Sequence, residues 1–210
     1  MSLGLGSGTT AELFVRALAP RVAAGLRLRC VATSGRTERL AGELGIPLDE
    51  LDGELDLAVD GADAIERETL AAIKGRGGAL TREKIVALAA RRFILVGDSS
   101  KLVDRLSDAL PTLPVPVEVL QFGWKVTRLR LAALGDPVLR ERNGAPFVTD
   151  NGNMILDLYN APLTRPGDLA TAIASVSGVV EHGLFLDIAS LAIVGAADGV
   201  LELRRDSTVS

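Results

Sequence analysis

Histidine and cysteine are almost missing from this chain, and aromatic residues are scarce. The 210 residues include one histidine, His182, and one cysteine, Cys30. A single cysteine excludes an intramolecular disulfide and a thiolate-rich zinc site. A single histidine excludes a multi-histidine metal site within one subunit, so no metal and no cofactor are expected. Aromatics make up 3%, too few for the stacking platforms of single-strand nucleic-acid binders. Positive charge is also short: 23 Lys and Arg against 27 Asp and Glu leave a net charge of −4. Non-specific nucleic-acid binding rests on basic patches, so nucleic acid is not an expected partner. No apolar run is long enough for a membrane span, since Leu184–Val194 is short and interrupted by Asp187. No charged-then-apolar leader opens the sequence. A cytoplasmic location without a membrane partner is therefore expected.

Carboxylates, lysines, hydroxyls and backbone amides are left to carry any chemistry. The apolar share is large, 48%, enough for one large domain or one domain with a small companion at roughly 150 residues per domain. Up to Asp98 the chain alternates strand and helix signals. A short apolar start leads into a Gly/Ser/Thr loop. A helix follows with Leu13, Phe14, Ala17, Leu18 and Val22 on roughly one face. Leu26–Ala32 reads as a strand, Thr37–Leu44 as a helix, Leu55–Asp60 as a strand and Glu66–Ile73 as a helix. Thr81 reads as the cap of a helix over Arg82–Ala90, and Phe93–Val96 as a buried strand. This alternation predicts a parallel sheet with helices on both faces.

The pattern changes after Pro111. Val115, Val117 and Val119 alternate beside Pro114 and Pro116, which predicts an edge strand. A helix over about Phe122–Leu134, short strands at Pro137–Arg142 and Pro146–Thr149, an Asn151-Gly152 turn, a strand at Met154–Leu158 and a helix at Pro166–Val176 follow. The expected division is an α/β unit of residues 1–112 and 181–210, interrupted by a small α+β unit of residues 113–180.

Four loops carry candidate chemistry. Gly4-Leu5-Gly6-Ser7-Gly8-Thr9-Thr10 joins a strand to a helix start, where backbone amides and hydroxyls can hold a phosphate. It matches neither the Walker nor the dinucleotide spacing, and a plain strand-to-helix turn with a threonine cap accounts for it equally well. Asp60-Gly61-Ala62-Asp63 ends an apolar strand, where open α/β sheets bind ligands; most Asp-Gly turns are only turns. Lys74-Gly75-Arg76-Gly77-Gly78 opens a helix that carries Glu83. Lys74 suits an oxyanion and Glu83 a general base, although an acid at a helix start is also what the helix dipole favours. Lys101, after Asp98-Ser99-Ser100, suits a phosphate or a hydroxyl, and is otherwise a surface charge. Cys30 reads as core and His182 as structural. Taken together, four strand ends on the rim of one sheet describe a site for a small phosphorylated polyol.

These motifs resemble the type A ribose-5-phosphate isomerases. The resemblance rests on Gly4–Ala11, Thr33-Ser34, Asp60–Asp63, Lys74–Lys84, Gly97–Lys101, Val148–Asn153 and Gly178–Phe185, in family order over nearly the whole chain. It implies a Rossmann-like parallel-sheet domain with a smaller ferredoxin-like α+β domain, a homodimer or homotetramer, and no metal. It also implies interconversion of ribose 5-phosphate and ribulose 5-phosphate, a step of the pentose phosphate pathway. By the same resemblance Glu83 would be the base, and Asp60, Asp63 and Lys74 would bind the sugar and help move protons. Ser7, Gly8, Thr9, Thr10, Gly61, Ala62, Gly75, Arg76, Gly77 and Lys101 would contact the substrate. The sequence departs from the family at Ala64, where a Glu is usual, and at Arg76, where a Gly is common. Family members also carry a helix with a lysine before the first glycine loop, which this sequence reaches at Gly4. A non-catalytic sugar-phosphate sensor and an acyl-CoA transferase relative are the alternatives. A sensor of that kind needs a DNA-binding module, and the Asp60–Asp63 and Lys74 loops fit a transferase less well.

Overall fold

The computed structural model describes residues 1–109 and 112–205. The chain begins with β1 (Ser2–Leu5), α1 (Thr9–Ala23), β2 (Arg29–Ala32), α2 (Gly35–Glu43) and β3 (Leu57–Gly61). Next come β4 (Ala64–Glu66), β5 (Ala72–Ile73), α3 (Leu80–Ala89), β6 (Phe93–Asp98) and β7 (Leu102–Val103). The middle holds β8 (Val115–Val119), α4 (Trp124–Leu131), β9 (Asp136–Leu139), β10 (Glu141–Arg142), β11 (Ala145–Pro146), β12 (Met154–Tyr159) and α5 (Pro166–Ala174). The chain closes with β13 (Val179–His182), β14 (Leu184–Phe185), β15 (Leu191–Ala196) and β16 (Gly199–Arg204).

The large sheet has the order β16-β15-β6-β3-β1-β2. Its first five strands in space from β2 to β15 run parallel, and β16 closes the edge antiparallel to β15. Buried on both faces, its strands read as near-continuous apolar runs such as Phe93–Val96, as parallel strands must. An antiparallel sheet of order β13-β8-β12-β9 carries α4 and α5, giving the smaller α+β unit. A third sheet, β14-β5-β4-β7, lies between them in the chain's path.

Several expectations are corrected. Glu66–Ile73 is not a helix but a turn between β4 and β5. Leu70 adopts a left-handed φ of 58° there, and the Glu66 carboxylate accepts from the Thr69 hydroxyl and from Leu106 N–H. The fully apolar run Leu70–Ile73 is buried on all sides, which an amphipathic helix would not be. β8 is an interior strand between β13 and β12, not an edge. Pro116 is tolerated there because its carbonyl accepts from Gly183 N–H (2.7 Å) while the Gly183 carbonyl accepts from Lys74 N–H (2.8 Å), so no ladder donor is missed. The strand expected from Leu26 begins at Arg29, and the strand expected over Pro137–Arg142 is split into β9 and β10. In α1 the buried residues are Ala11, Val15 and Leu18, and Leu13 is 66% exposed. Thr81 lies inside α3, whose N-cap is Ala79. Pro111, where the sequence pattern changes, lies outside the described residues. Glu181 and His182, expected with the first unit, pair with β8 of the small sheet. Cys30 is buried in β2, and burial first and Asp49 second push its thiol up to about 11.

Candidate active site

Three strands of the large sheet, β1, β3 and β6, end side by side above one cleft of about 370 Å³. Ligands of open α/β sheets sit beyond such carboxyl ends. The β1 loop supplies Ser7, Gly8, Thr9 and Thr10, and the β3 loop supplies Gly61, Ala62 and Asp63. Lys74, Gly75, Arg76 and Gly77 form the facing wall, with Glu83 and Lys101 completing it. The lysine loop does not come from the same sheet, as expected, but follows β5 of the third sheet. Of the residues read from the sequence, Asp60 alone does not line the cleft; it is 2% exposed and sits behind the wall.

The β1 loop is shaped by its glycines. A Cβ on Gly6 would lie 2.1 Å from Asp60 Oδ1, so only glycine lets the chain pass over that carboxylate. Gly8 is the N-cap of α1 at φ 89° and offers no side-chain cap, so the first-turn N–H groups remain open to an anion. The threonine-cap reading of this loop is thus not what the structure shows. The loop is braced from below by hydroxyls: Ser7 Oγ lies 2.7 Å from Thr33 Oγ1 and 2.8 Å from Ser34 Oγ, and Thr37 Oγ1 donates to the Gly6 carbonyl. That accounts for Thr33-Ser34 as a support of the loop.

At the other end of the cleft a cation sits between two carboxylates. Lys74 Nζ is 3.1 Å from Asp60 Oδ2 and 3.2 Å from Glu83 Oε2, and it donates to the Gly61 carbonyl. Asp60 Oδ1 accepts from Ser7 N–H (2.9 Å) and Gly61 N–H (2.7 Å). Asp60 Oδ2 and Glu83 Oε2 have no further polar partner among the described residues, so the Lys74 ammonium is what offsets both. Glu83 is 5% exposed and Lys74 2%. Glu83 is thus not merely a solvated acid that the dipole favours at a helix start. The Phe185 ring lies under the group, its centroid 5.4 Å from Lys74 Nζ and 5.0 Å from Lys84 Nζ.

Burial dominates the electrostatics. Desolvation pushes the Glu83 carboxyl up to about 8, against the pull of Lys74 and with help from the Asp60 charge. Asp60 is raised by the same burial, opposed by Lys74 and two backbone N–H groups. Burial pulls Lys74 down, but Asp60 and Glu83 outweigh it and hold the ammonium above its ordinary value. One cation and two carboxylates in a dry pocket therefore favour a single proton on the carboxylate pair, and Glu83 is the member that faces the cleft.

Further residues belong to the site that sequence reasoning did not single out. Arg36 lines the cleft beside the β1 loop, its Nη2 donating to Glu12 Oε2 at 3.1 Å; its place just after Thr33-Ser34 was the available signal. Gly183 fixes the Lys74 backbone so closely that a Cβ there would lie 2.1 Å from the Lys74 carbonyl oxygen. His182 is buried with its Nδ1 3.2 Å from Lys84 Nζ, and burial first and Lys84 second pull it down to about 4. It is neutral at pH 7 and faces Lys84 rather than the cleft.

Comparison with known proteins gives a consistent result. The family model described as ribose 5-phosphate isomerase A (phosphoriboisomerase A) matches residues 29–199. A ribose-5-phosphate isomerase A from Thermomicrobium roseum is 50% identical over 100% of this chain and 89% of its own length. The solved ribose 5-phosphate isomerase A of Methanocaldococcus jannaschii superposes with a TM-score of 0.91 at 39% identity, covering 98% of this chain and 91% of that one. A D-ribose-5-phosphate isomerase solved in complex with phospho-erythronic acid superposes equally well, with a TM-score of 0.91, 39% identity and the same coverage.

Proposed function

Since the chain belongs to the ribose 5-phosphate isomerase A family and is an aldose–ketose isomerase of ribose 5-phosphate and ribulose 5-phosphate, we infer that Glu83 is its general base and Lys74 its oxyanion partner. The observation that carries this reading is the buried Asp60–Lys74–Glu83 group at the cleft wall. A carboxylate raised to about 8 is a stronger base toward a carbon acid than an ordinary one.

The open-chain aldose lies with its phosphate on the open N–H groups of Gly8–Thr10, beside Lys101. Asp63 assists ring opening. Glu83 removes the proton at C2, the electron pair forms the C1–C2 double bond, and the carbonyl oxygen at C1 takes the negative charge. The Lys74 ammonium and the loop amides of Gly75–Gly77 stabilise that oxygen as charge develops. Asp63 relays the hydroxyl proton from O2 to O1, and the proton on Glu83 returns to C1 to give the ketose. Asp60 touches no reacting atom in this scheme. It keeps Lys74 charged and pointed at the cleft.

The phospho-erythronic acid bound by a solved relative suits this scheme, because its carboxylate has the planar two-oxygen shape of an enediolate. The chain's own surface supports self-association into a homodimer or homotetramer: Leu120, Phe122, Val126 and Leu129 are exposed around α4, Phe122 to 93%. Among the described residues no helix is long and apolar enough to cross a membrane, and a cytoplasmic location fits a sugar-phosphate substrate. We read residues 1–112 with 181–210 as the catalytic unit and 113–180 as the small one, the boundary falling inside β13, whose Glu181 and His182 still pair with β8.

The test is Glu83→Gln, which keeps size and polarity but cannot accept the C2 proton. Ketose formation should fall by about 10²–10⁴-fold, and solvent exchange of the C2 hydrogen should stop with it. Near-normal exchange would remove Glu83 as the base. A binding-only protein would show no turnover in the unaltered chain.

A further inference from the structure

Arg140 stands outside the cleft yet holds its wall. It follows β9, and its backbone is fixed on both sides: Arg140 N–H donates to the Ile155 carbonyl and the Arg140 carbonyl accepts from Phe147 N–H, each at 2.9 Å. Its guanidinium is shared between two tasks. Nε and Nη2 grip Asp157 of β12, Nε at 2.8 Å from Oδ2. Nη1 donates to the carbonyls of Gly75 (2.7 Å) and Arg76 (3.1 Å) in the lysine loop. Asp157 is buried and Arg140 half-buried, so this charge pair spans from the antiparallel sheet to the loop.

The consequence follows from peptide geometry. In a trans peptide the N–H points opposite to the C=O. With the Gly75 carbonyl turned to Arg140, Arg76 N–H must point the other way, and it donates to Asp63 Oδ2 at 2.9 Å. Asp63 lines the cleft. The Arg76 carbonyl is turned to the same guanidinium, so Gly77 N–H points the same way as Arg76 N–H. Two successive N–H groups on one side form a concavity that suits anions; the Asp63 carboxylate takes the first and Gly77 N–H is left for a ligand, while Gly75 at φ 103° supplies the backbone turn, closed by Gly78 N–H on the Gly75 carbonyl at 3.0 Å.

We propose that Arg140, oriented by Asp157, is a positioning residue for the isomerisation: it turns the Gly75–Gly77 peptides so that Arg76 N–H holds the Asp63 carboxylate at the cleft and Gly77 N–H faces the developing oxygen of the enediolate. The proposal rests on the reading of the cleft as the reaction site. Arg140 itself touches no reacting atom. A lysine in its place keeps a charge for Asp157 but cannot fork to two carbonyls as well, and a loosened loop leaves the oxyanion donors misaligned, an error of about 1 Å being able to cost about 10²-fold.

Arg140→Lys and Asp157→Asn are assayed beside Arg140→Ala, with melting temperature recorded for each. The expected result is a fall in kcat of about 10–100-fold with KM shifted less than about threefold. Affinity for phospho-erythronic acid should fall by a factor similar to kcat, while affinity for inorganic phosphate, which needs only the β1 loop, stays constant. Unchanged kcat in Arg140→Lys overturns the proposal. So does an equal loss of phosphate and acid binding together with lowered melting, which would make Arg140 a structural brace only. Glu83→Gln in the same series keeps the two readings apart. Full C2 exchange in that variant overturns the base and this proposal with it, whereas unaltered turnover in the Arg140 variants overturns the proposal and leaves the base standing.

Discussion

Glu83 is held at odds with its own charge, and that has consequences for pH. A carboxyl raised to about 8 is largely protonated at pH 7, with about one molecule in ten carrying the base form. The kcat/KM of the free enzyme should therefore rise with pH through a limb near 8 and level off above it. Stability runs the other way. The folded protein binds more protons than the unfolded chain between the ordinary value of 4.5 and about 8, so stability falls as pH rises across that window. Glu83→Gln carries no such penalty. Melting curves at pH 5, 7 and 9 should show the variant gaining on the unaltered protein as pH rises, although its turnover is lost. A constant difference across the series would mean that Glu83 does not titrate in this window. Lys101 and Thr10 line the cleft by the β1 loop, the end proposed here for the phosphate. Lys101→Ala and Thr10→Val should raise KM with little change in kcat, because the phosphate is held alike before and during reaction. Unchanged KM in both would place the phosphate elsewhere. The identities of these side chains were legible in the sequence because glycine, aspartate and lysine at strand ends have few structural uses together. Burial of Glu83 was not, because it comes from residues distant in sequence, Gly4, Gly6, Thr33 and Asp60 among them, that surround it in the fold.

α3 is aimed by a carboxylate on another sheet. Glu118 of β8 is 0% exposed and accepts from Thr81 Oγ1 in the first turn of α3, from Thr149 Oγ1 (2.9 Å), and from the amides of Asn151 (3.2 Å) and Asn153 (2.8 Å). No cation shares it, so hydrogen bonds alone offset its desolvation. The Val148–Asn153 motif thus supplies most of the donors for one buried charge. Asp150 adds a tie from the same loop to Gly35 N–H at the start of α2 (2.9 Å). Glu118→Gln places an amide NH₂ against this set of donors. A loss of about 1–3 kcal/mol is expected, several degrees in Tm for a chain of this size. An unchanged Tm would show that the network reforms around glutamine. At this scale periodicity foretold α1, α2, α3 and β6 to within a few residues. It failed at Glu66–Ile73, where a short apolar run, Leu70–Ile73, suits a helix and a buried hairpin alike. It failed again at Pro116, where the Gly183 carbonyl that a proline cannot serve accepts from Lys74 N–H instead, a long-range partner that no local pattern reveals.

The molecule joins two architectures through one loop. The parallel sheet provides the β1-loop end of the cleft, and the third sheet and the antiparallel sheet provide Lys74 and the clamp on its loop. Alternating strand and helix signals were enough to foresee the first, and proline-marked short strands the existence of the other. Which sheet would carry Lys74 depends on long-range pairing that a single sequence does not display. A ligand held at the β1 loop alone should already stabilise the fold. Inorganic phosphate at 100 times its dissociation constant should stabilise the fold by about 2.7 kcal/mol, read as a rise in Tm, and Thr10→Val should shrink that rise. Equal shifts in both proteins would locate the ion away from the β1 loop.

Gly183 gives this arrangement a direction in time. Its carbonyl receives Lys74 N–H, and its lack of a side chain is what lets the Lys74 carbonyl approach. It lies 109 residues after the lysine that it positions. A chain growing from its N-terminus therefore makes Glu83, Lys74 and Asp60 well before the glycine that supports them. Until Gly183 emerges the charges are in sequence but not in place. Activity should return in refolding only once the segment joining β13 and β14 has packed on the Lys74 loop, and turnover becomes a readout of that long-range contact rather than of local structure.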